Sequence, residues 1–374
     1  MKASPVLAGA SRGDPWHPTS ASGAAKHLFD ALEERFPLSG RVNTELTRAQ
    51  RAIVAAATIR PSRADWRERF YKNGLAFELQ SRNSARLLSQ LPRFDLAVQV
   101  YGLFQTRGAP YTAYLDTTAE LSRRYWPDWS PFSARASRRA DARERSLYHG
   151  ASHLFGFTEE VAASLVNFYG VDERLVSVVG GGMNFDTLPV LDDRTRPSED
   201  EALILFVGRE WRRKGGDVLL EAFRRLRPTY PNASLAIVGT DVATPEPGVR
   251  VYGTLDRAEV AALYRRATLF ALPSRYEPYG FVLSEAMAHG LPCIGSTAGG
   301  MSETIVDGVT GILVSPEDTD DLTSALARLL ADPALARRMG AAGRDRVEHE
   351  LRWSRVVDRM AEPLERAAAE AGRR

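Results

Sequence analysis

The sequence predicts a two-domain α/β protein, and three observations carry that expectation. At 374 residues the chain is longer than one hydrophobic core usually supports. Its second half alternates short, continuous apolar runs with amphipathic segments, the mark of parallel strands buried on both faces with helices between them. Residues 186–201, rich in Asp, Pro and Thr, separate the two halves as a linker. The expected layout is a first domain over 1–185, the linker over 186–201, a second domain over 202–350 and a final helical segment over 351–374.

In the first domain, residues 6–10 read as a strand, and a loop rich in Gly, Pro and Ser leads into an amphipathic helix over 24–35. Residues 48–59 read as a helix and 66–91 as one or two more, with arginines scattered through them. Strand signals between 41 and 93 are thin, so this domain is expected to be reduced or rearranged relative to a full Rossmann-like half. Strands return at 95–100 and 111–115, the latter closed by Asp116. Residues 151–158 read as a strand, 159–169 as a helix ending at Gly170, and 176–179 as a strand running into Gly180-Gly181-Gly182. His153 reads as packed rather than catalytic.

The second domain alternates more cleanly. Strands are expected at 203–207, 234–238, 249–252, 268–272, 292–295 and 311–314, and helices at 217–227, 256–266 and 281–289, with Asp217 as a cap. No Gly-x-Gly-x-x-Gly follows the first of these strands, which counts against a dinucleotide-dependent dehydrogenase. Residues 273–292 are the chemical centre. Pro273, Pro278 and Gly280 hold the chain irregular after a buried strand, and a helix follows. In a doubly wound sheet that loop lies at the carboxyl edge of the strands, where ligands bind.

Glu277 on this loop and Glu285 in the helix are carboxylates suited to sugar hydroxyls, and the helix-start amides from Gly280 onward suit a diphosphate. Arg209 and Lys214 follow the strand at 203–207, where two fixed cations can neutralise a diphosphate leaving group. A nucleotide sugar carries both kinds of group. The plain alternative is a surface loop with a Glu in the first helical turn and a solvated basic loop, and Arg212 and Arg213 are read that way.

Val207-Gly208-Arg209 with Lys214-Gly215, then Glu277 and Glu285 around Gly280-Phe281, resembles the retaining glycosyltransferase family 4, of the GT-B fold. The likeness continues through Ala298-Gly299-Gly300 to Glu303 and through residues 307–314, covering most of the second half. It implies two Rossmann-like domains facing each other across a cleft. It also implies a metal-independent hexosyltransferase that moves a sugar, with retention, from a nucleoside-diphosphate donor to a glycan, lipid-linked or small-molecule acceptor. By that likeness Arg209 and Lys214 grip the diphosphate, Glu285 holds the ribose and Glu277 the transferred sugar. Tyr279, Gly280, Phe281 and Val282 line the donor, and the base meets backbone around Val251 and Tyr252. Gly23 is the nearest match to a phosphate-approaching loop in the first domain, although the double Gly common in relatives is missing. Asp116 takes a place where relatives often put a His or Asp near the reacting sugar, so it is assigned to orienting the acceptor hydroxyl, with helix capping as its alternative. Trp353 is expected to anchor a final helix that crosses back onto the first domain. No cofactor is implied beyond the UDP- or GDP-linked co-substrate. The alternatives are an epimerase or phosphorylase on the same fold, or a silent nucleotide-sugar-binding protein.

The net charge of +2 hides an asymmetry: 24 Lys and Arg against 18 Asp and Glu through residue 185, and 25 against 29 beyond it. Residues 121–145 set seven arginines among aromatics against Asp128, Asp141 and Glu144. A solvated helix face beside buried tryptophans ranks first for this stretch. Peripheral contact with an anionic membrane or a lipid-linked acceptor ranks second, and nucleic acid last. The single Cys293 excludes an intrachain disulfide, and no apolar run approaches the roughly 20 residues that span a bilayer. Without a secretory signal, cytoplasmic residence is expected. The one Asp-x-Asp, Asp318-Thr319-Asp320, reads as a helix start rather than a metal site, so no metal is expected.

Overall fold

The computed structural model describes residues 4–17, 23–185, 187–191, 202–244 and 246–373. The chain divides into two compact units, Met1–Asn184 with Trp353–Arg374, and Phe185–Arg352. Most of the expected linker, residues 186 and 192–201, lies outside the described residues.

The first unit runs β1 (Leu7–Ser11), α1 (Ala24–Arg35), β2 (Leu38–Asn43), α2 (Arg48–Thr58), α3 (Arg63–Lys72), α4 (Gly74–Leu88), β3 (Leu96–Val100), β4 (Tyr111–Leu115), α5 (Ala119–Tyr125), α6 (Ala134–Gly150), β5 (His153–Gly156), α7 (Glu159–Ala163) and β6 (Val176–Val178). Its strands form one sheet in the order β2-β1-β3-β4-β5-β6, and every neighbouring pair is parallel. This corrects the expectation of a reduced domain, because the sheet has six strands like that of the second unit. β1, β3, β4 and β5 are buried along their whole length, as their apolar runs require.

The strand missed by sequence is β2, Leu-Ser-Gly-Arg-Val-Asn, which is only half-buried at the edge of the sheet. Its Arg41 is buried by pairing with Asp30 and Glu33 of α1, both at 2.6 Å. The helices α2 to α4 fill the span between β2 and β3. A Thr47–Gln50 capping box opens α2, and Asn73 opens α4 by accepting from the amides of Leu75 and Ala76. α5 is capped by Thr118, whose hydroxyl accepts from Leu121 N, so Asp116 is not a cap.

The second unit runs β7 (Ala202–Val207), α8 (Gly216–Leu226), β8 (Ala233–Val238), β9 (Val249–Val251), α9 (Arg257–Arg266), β10 (Leu269–Leu272), α10 (Phe281–Ala288), β11 (Cys293–Ser296), α11 (Met301–Thr304), β12 (Gly311–Val314), α12 (Thr319–Ala331) and α13 (Pro333–His349). Its parallel sheet has the order β12-β11-β10-β7-β8-β9. That is the doubly wound order, and its direction of winding reverses between β7 and β10.

The last helix, α14 (Trp353–Ala371), belongs to the first unit, where it packs on α1. Trp353 begins it, buried, and its indole N–H donates to Asn184 Oδ1 at 3.2 Å. The glycine run has its reason here: a Cβ on Gly182 would stand 2.5 Å from the Trp353 ring. Among the described residues no helix is long and apolar enough to cross a membrane.

Candidate functional site

Where the winding of a parallel sheet reverses, the loops after the two central strands part and leave a crevice. In the second unit those loops follow β7 and β10, and they carry Arg209 to Gly215 and Pro273 to Gly280. Glycine brings them together. Gly215 adopts φ 69° at the start of α8, and a Cβ there would stand 1.9 Å from Pro273 O. This Gly, rather than Asp217, is the N-cap; Asp217 instead accepts from the Arg275 guanidinium at 2.7 and 3.0 Å. The loop after β11 completes the frame. Gly300 N donates to Glu277 O at 2.9 Å, and a Cβ on Gly299 would meet that same carbonyl at 2.3 Å.

Glu277 is 9% exposed and holds two cations on one oxygen, Lys214 Nζ at 3.1 Å and Arg213 Nη1 at 3.3 Å. Burial alone pushes its carboxyl up, but Lys214 and Arg213 outweigh burial and hold it below the ordinary carboxylate range. Arg213 was read from sequence as a solvated loop residue, and the structure corrects that. It is 5% exposed, pairs with Glu210 at 2.6 Å, and donates to Tyr276 O at 2.7 Å. Arg212 is exposed, as read. The one sequence signal for Arg213 is Glu210 three residues before it.

Glu285 sits in α10, half-buried, with Tyr264 Oη 3.4 Å from its Oε2. Burial raises its carboxyl, against the opposing pull of Arg257, Tyr264 and Lys214. Gly280 opens α10 at φ 87° and supplies no side-chain cap to the helix start. Tyr279 is buried, its carbonyl accepting from Thr304 at 3.1 Å. Lys214, Glu277 and Gly280 therefore lie on neighbouring loops, with Arg209 exposed on the first of them and Glu285 in the helix that follows the second. Val251 and Tyr252 lie apart, at the end of the edge strand β9.

Asp116 and Gly23 are in the first unit. Its sheet reverses between β1 and β3, and a pocket of about 520 Å³ lies at the ends of β1, β3 and β4, lined by Arg12, Tyr71, Tyr101, Asp116 and Glu144 among others. Tyr101 takes the left-handed conformation there at φ 67°, a costly one for a bulky residue, and its N–H donates to Tyr114 O at 2.8 Å. Gly23 opens α1 at φ 83° and does not line this pocket; Ser22 lies outside the described residues. His153 is packed, as read: it is 2% exposed, and burial lowers its imidazole to about 4. Trp126 and Trp129 are only half-buried, which corrects the expectation of buried tryptophans in residues 121–145.

Residues 190–346 match the family model "Glycosyl transferases group 1". A glycogen synthase of Mycobacterium tuberculosis is 32% identical over 241 residues, 62% of this chain and 58% of that protein. A D-inositol 3-phosphate glycosyltransferase of Thermobifida fusca is 34% identical over 242 residues, 58% of this chain and 55% of the other. The chain thus spans little more than half the length of these curated relatives. Among solved structures, sucrose-phosphate synthase from Thermosynechococcus elongatus superposes with TM-score 0.69 at 21% identity, over 98% of this chain and 100% of that one. Anabaena HepE in complex with UDP-glucose superposes with TM-score 0.64 at 16% identity, over 97% and 100%. Residues 190–346 thus carry a likeness to the group 1 glycosyltransferases, and the chain as a whole shares the GT-B fold of these solved structures.

Proposed function

We propose that the protein transfers a hexosyl group, with retention, from a UDP- or GDP-linked sugar to an acceptor hydroxyl. The observation that carries this reading is the buried Glu277 held ionised by Lys214 and Arg213 beside the uncapped start of α10. An ionised carboxylate only accepts hydrogen bonds, which suits the hydroxyls of the transferred sugar. Departure of the nucleoside diphosphate builds negative charge on its β-phosphate. Lys214, Arg209 and the amides of Phe281 and Val282 then stabilise that charge more strongly in the transition state than in the bound donor. Glu285 takes the ribose hydroxyls. In this reading no resident metal or organic cofactor takes part. The acceptor proton passes to a donor phosphate oxygen as the new bond forms on the face that the diphosphate leaves, and Asp116 orients the acceptor.

The relatives' names, a glycogen synthase and an inositol-phosphate glycosyltransferase, support transfer to a hydroxyl-rich acceptor. The UDP-glucose bound by HepE supports the donor class. Release of nucleoside diphosphate from UDP- and GDP-hexoses, with NMR of the product's anomeric proton, tests the reading. Lys214→Ala and Arg209→Ala each abolish release while thermal melts stay cooperative. Unchanged release in both variants, or a trapped covalent glycosyl-enzyme, defeats the mechanism.

A further inference from the structure

Beside the 520 Å³ pocket that holds Asp116 lies a second cavity, of about 300 Å³, bordered by residues of α2, α3, α4 and α6. Arg60, Arg69, Lys72, Arg139 and Arg143 line it, and no Asp or Glu among the described residues does. These cations come from three separate stretches of chain, so the solvated face of one helix does not account for their convergence. Lys72 has a carboxylate partner, Glu68 at 2.9 Å. Arg69 donates to Pro131 O and lies over the Phe132 ring at 5.4 Å, while its Nε is buried with no hydrogen-bond partner among the described residues. Arg143 donates to Lys72 O at 3.4 Å and lies over the Phe77 ring at 5.9 Å. The neighbouring Glu144 is occupied, accepting from Ala119 N at 3.0 Å and from Tyr169 Oη. Burial holds the Arg143 guanidinium below the ordinary arginine range; Glu144 opposes that shift and Arg139 adds to it.

Like charges gathered in a partly desolvated cavity repel one another unless an anion is placed among them. We infer that this cavity binds a phosphate group. Planar guanidinium forks match phosphate oxygens in bidentate geometry, and the surplus of positive charge suits a dianion better than a carboxylate. The cavity shares Lys72, Asn73, Phe132, Ala140 and Arg143 with the larger pocket that holds Asp116. A phosphate seated among the arginines can therefore carry a body that extends into the larger pocket. The phosphate belongs to a soluble ester or to a lipid headgroup, and the site stands whether or not the second unit transfers sugar.

Inorganic phosphate, titrated calorimetrically into the full chain carrying Lys214→Ala and Arg209→Ala, tests this with both cations assigned to the donor diphosphate removed. Binding is expected, and adding Arg139→Ala or Arg60→Ala weakens it about tenfold, the loss of one charged hydrogen bond. Both side chains are exposed, so the variants fold, as melts will verify. Co-sedimentation with phosphatidylcholine vesicles containing phosphatidylglycerol, lost in Arg139→Glu, assigns the phosphate to a lipid headgroup. Phosphate binding without co-sedimentation assigns it to a soluble ester, and either result upholds the site. No phosphate binding in the parent, or equal affinity in parent and both variants, overturns it.

Discussion

Replacing Arg213 by alanine isolates the feature that sequence alone did not reveal. The substitution removes the guanidinium that bridges Glu210, Tyr276 O and Glu277, and leaves Glu277 buried against Lys214 alone. Removing one partner of a buried ion pair costs about 3–5 kcal/mol, and the lower end applies because Lys214 remains. In a unit of this size each kcal/mol moves the midpoint by about 2–4 °C, so the transition of the second unit falls by roughly 6–12 °C. Differential scanning calorimetry of the full chain reads that fall. Arg213→Lys, which keeps the charge and loses the fork, recovers part of it. Donor affinity falls in parallel, because Glu277 loses one of the two cations that fix it. A midpoint shift under about 2 °C with unchanged donor affinity would show a solvated Arg213 and refute the cluster.

Other consequences follow from the same geometry. Glu277 is held below the ordinary carboxylate value, so its contribution to stability is present above about pH 4.5 and is lost as pH falls through its lower folded value. Glu277→Gln therefore flattens the acid limb of a stability–pH curve, and an unchanged limb contradicts the pairing. Glu285 has the opposite sign: its raised carboxyl favours the fold below the ordinary value, and that advantage is lost as pH rises through the folded one. Glu285→Gln thus raises the melting temperature at neutral pH while weakening nucleotide binding, and a fall in both quantities counts against this. Gly215→Ala forces a left-handed alanine into the Pro273 carbonyl. It costs more than about 1–2 kcal/mol and parts the two loops, which melts and donor titration would both register. His153 is neutral in the fold, so between pH 6.5 and about 4 the unfolded state takes up its proton and the first unit weakens. His153→Gln removes that loss in urea titrations repeated across the range.

How much of this was legible depended on burial. Strands with a buried centre, such as β7 and β10, are continuous apolar runs ending at Gly or Pro, and the sequence marks them within a residue or two. β2 was invisible because it lies at the sheet edge and carries Ser39, Gly40, Arg41 and Asn43, polar residues satisfied by α1 and by neighbouring loops. The loops that carry Lys214 and Glu277, and the helix start that leads to Glu285, were found because Gly and Pro punctuate them after buried strands. Arg213 was not, since Arg212-Arg213-Lys214 is a uniform basic run and only the tertiary approach of Glu277 separates its members. The phosphate cavity was hidden for the same reason: its cations are spread over residues 60–143, and α2, α3 and α6 converge only in the fold.

The central claim is that the second unit is a nucleotide-sugar site built on Lys214, Glu277 and Glu285. Thermal stabilisation of the full chain by a panel of nucleoside diphosphates and their sugars, in the presence of a chelator, tests it most directly. A nucleotide at a hundred times its dissociation constant adds about 2.7 kcal/mol, an easily measured shift. One base family should raise the midpoint of the wild-type chain, and the rise should vanish in Glu285→Ala and Lys214→Ala. No shift with any nucleotide, or a shift that survives both substitutions, would contradict it.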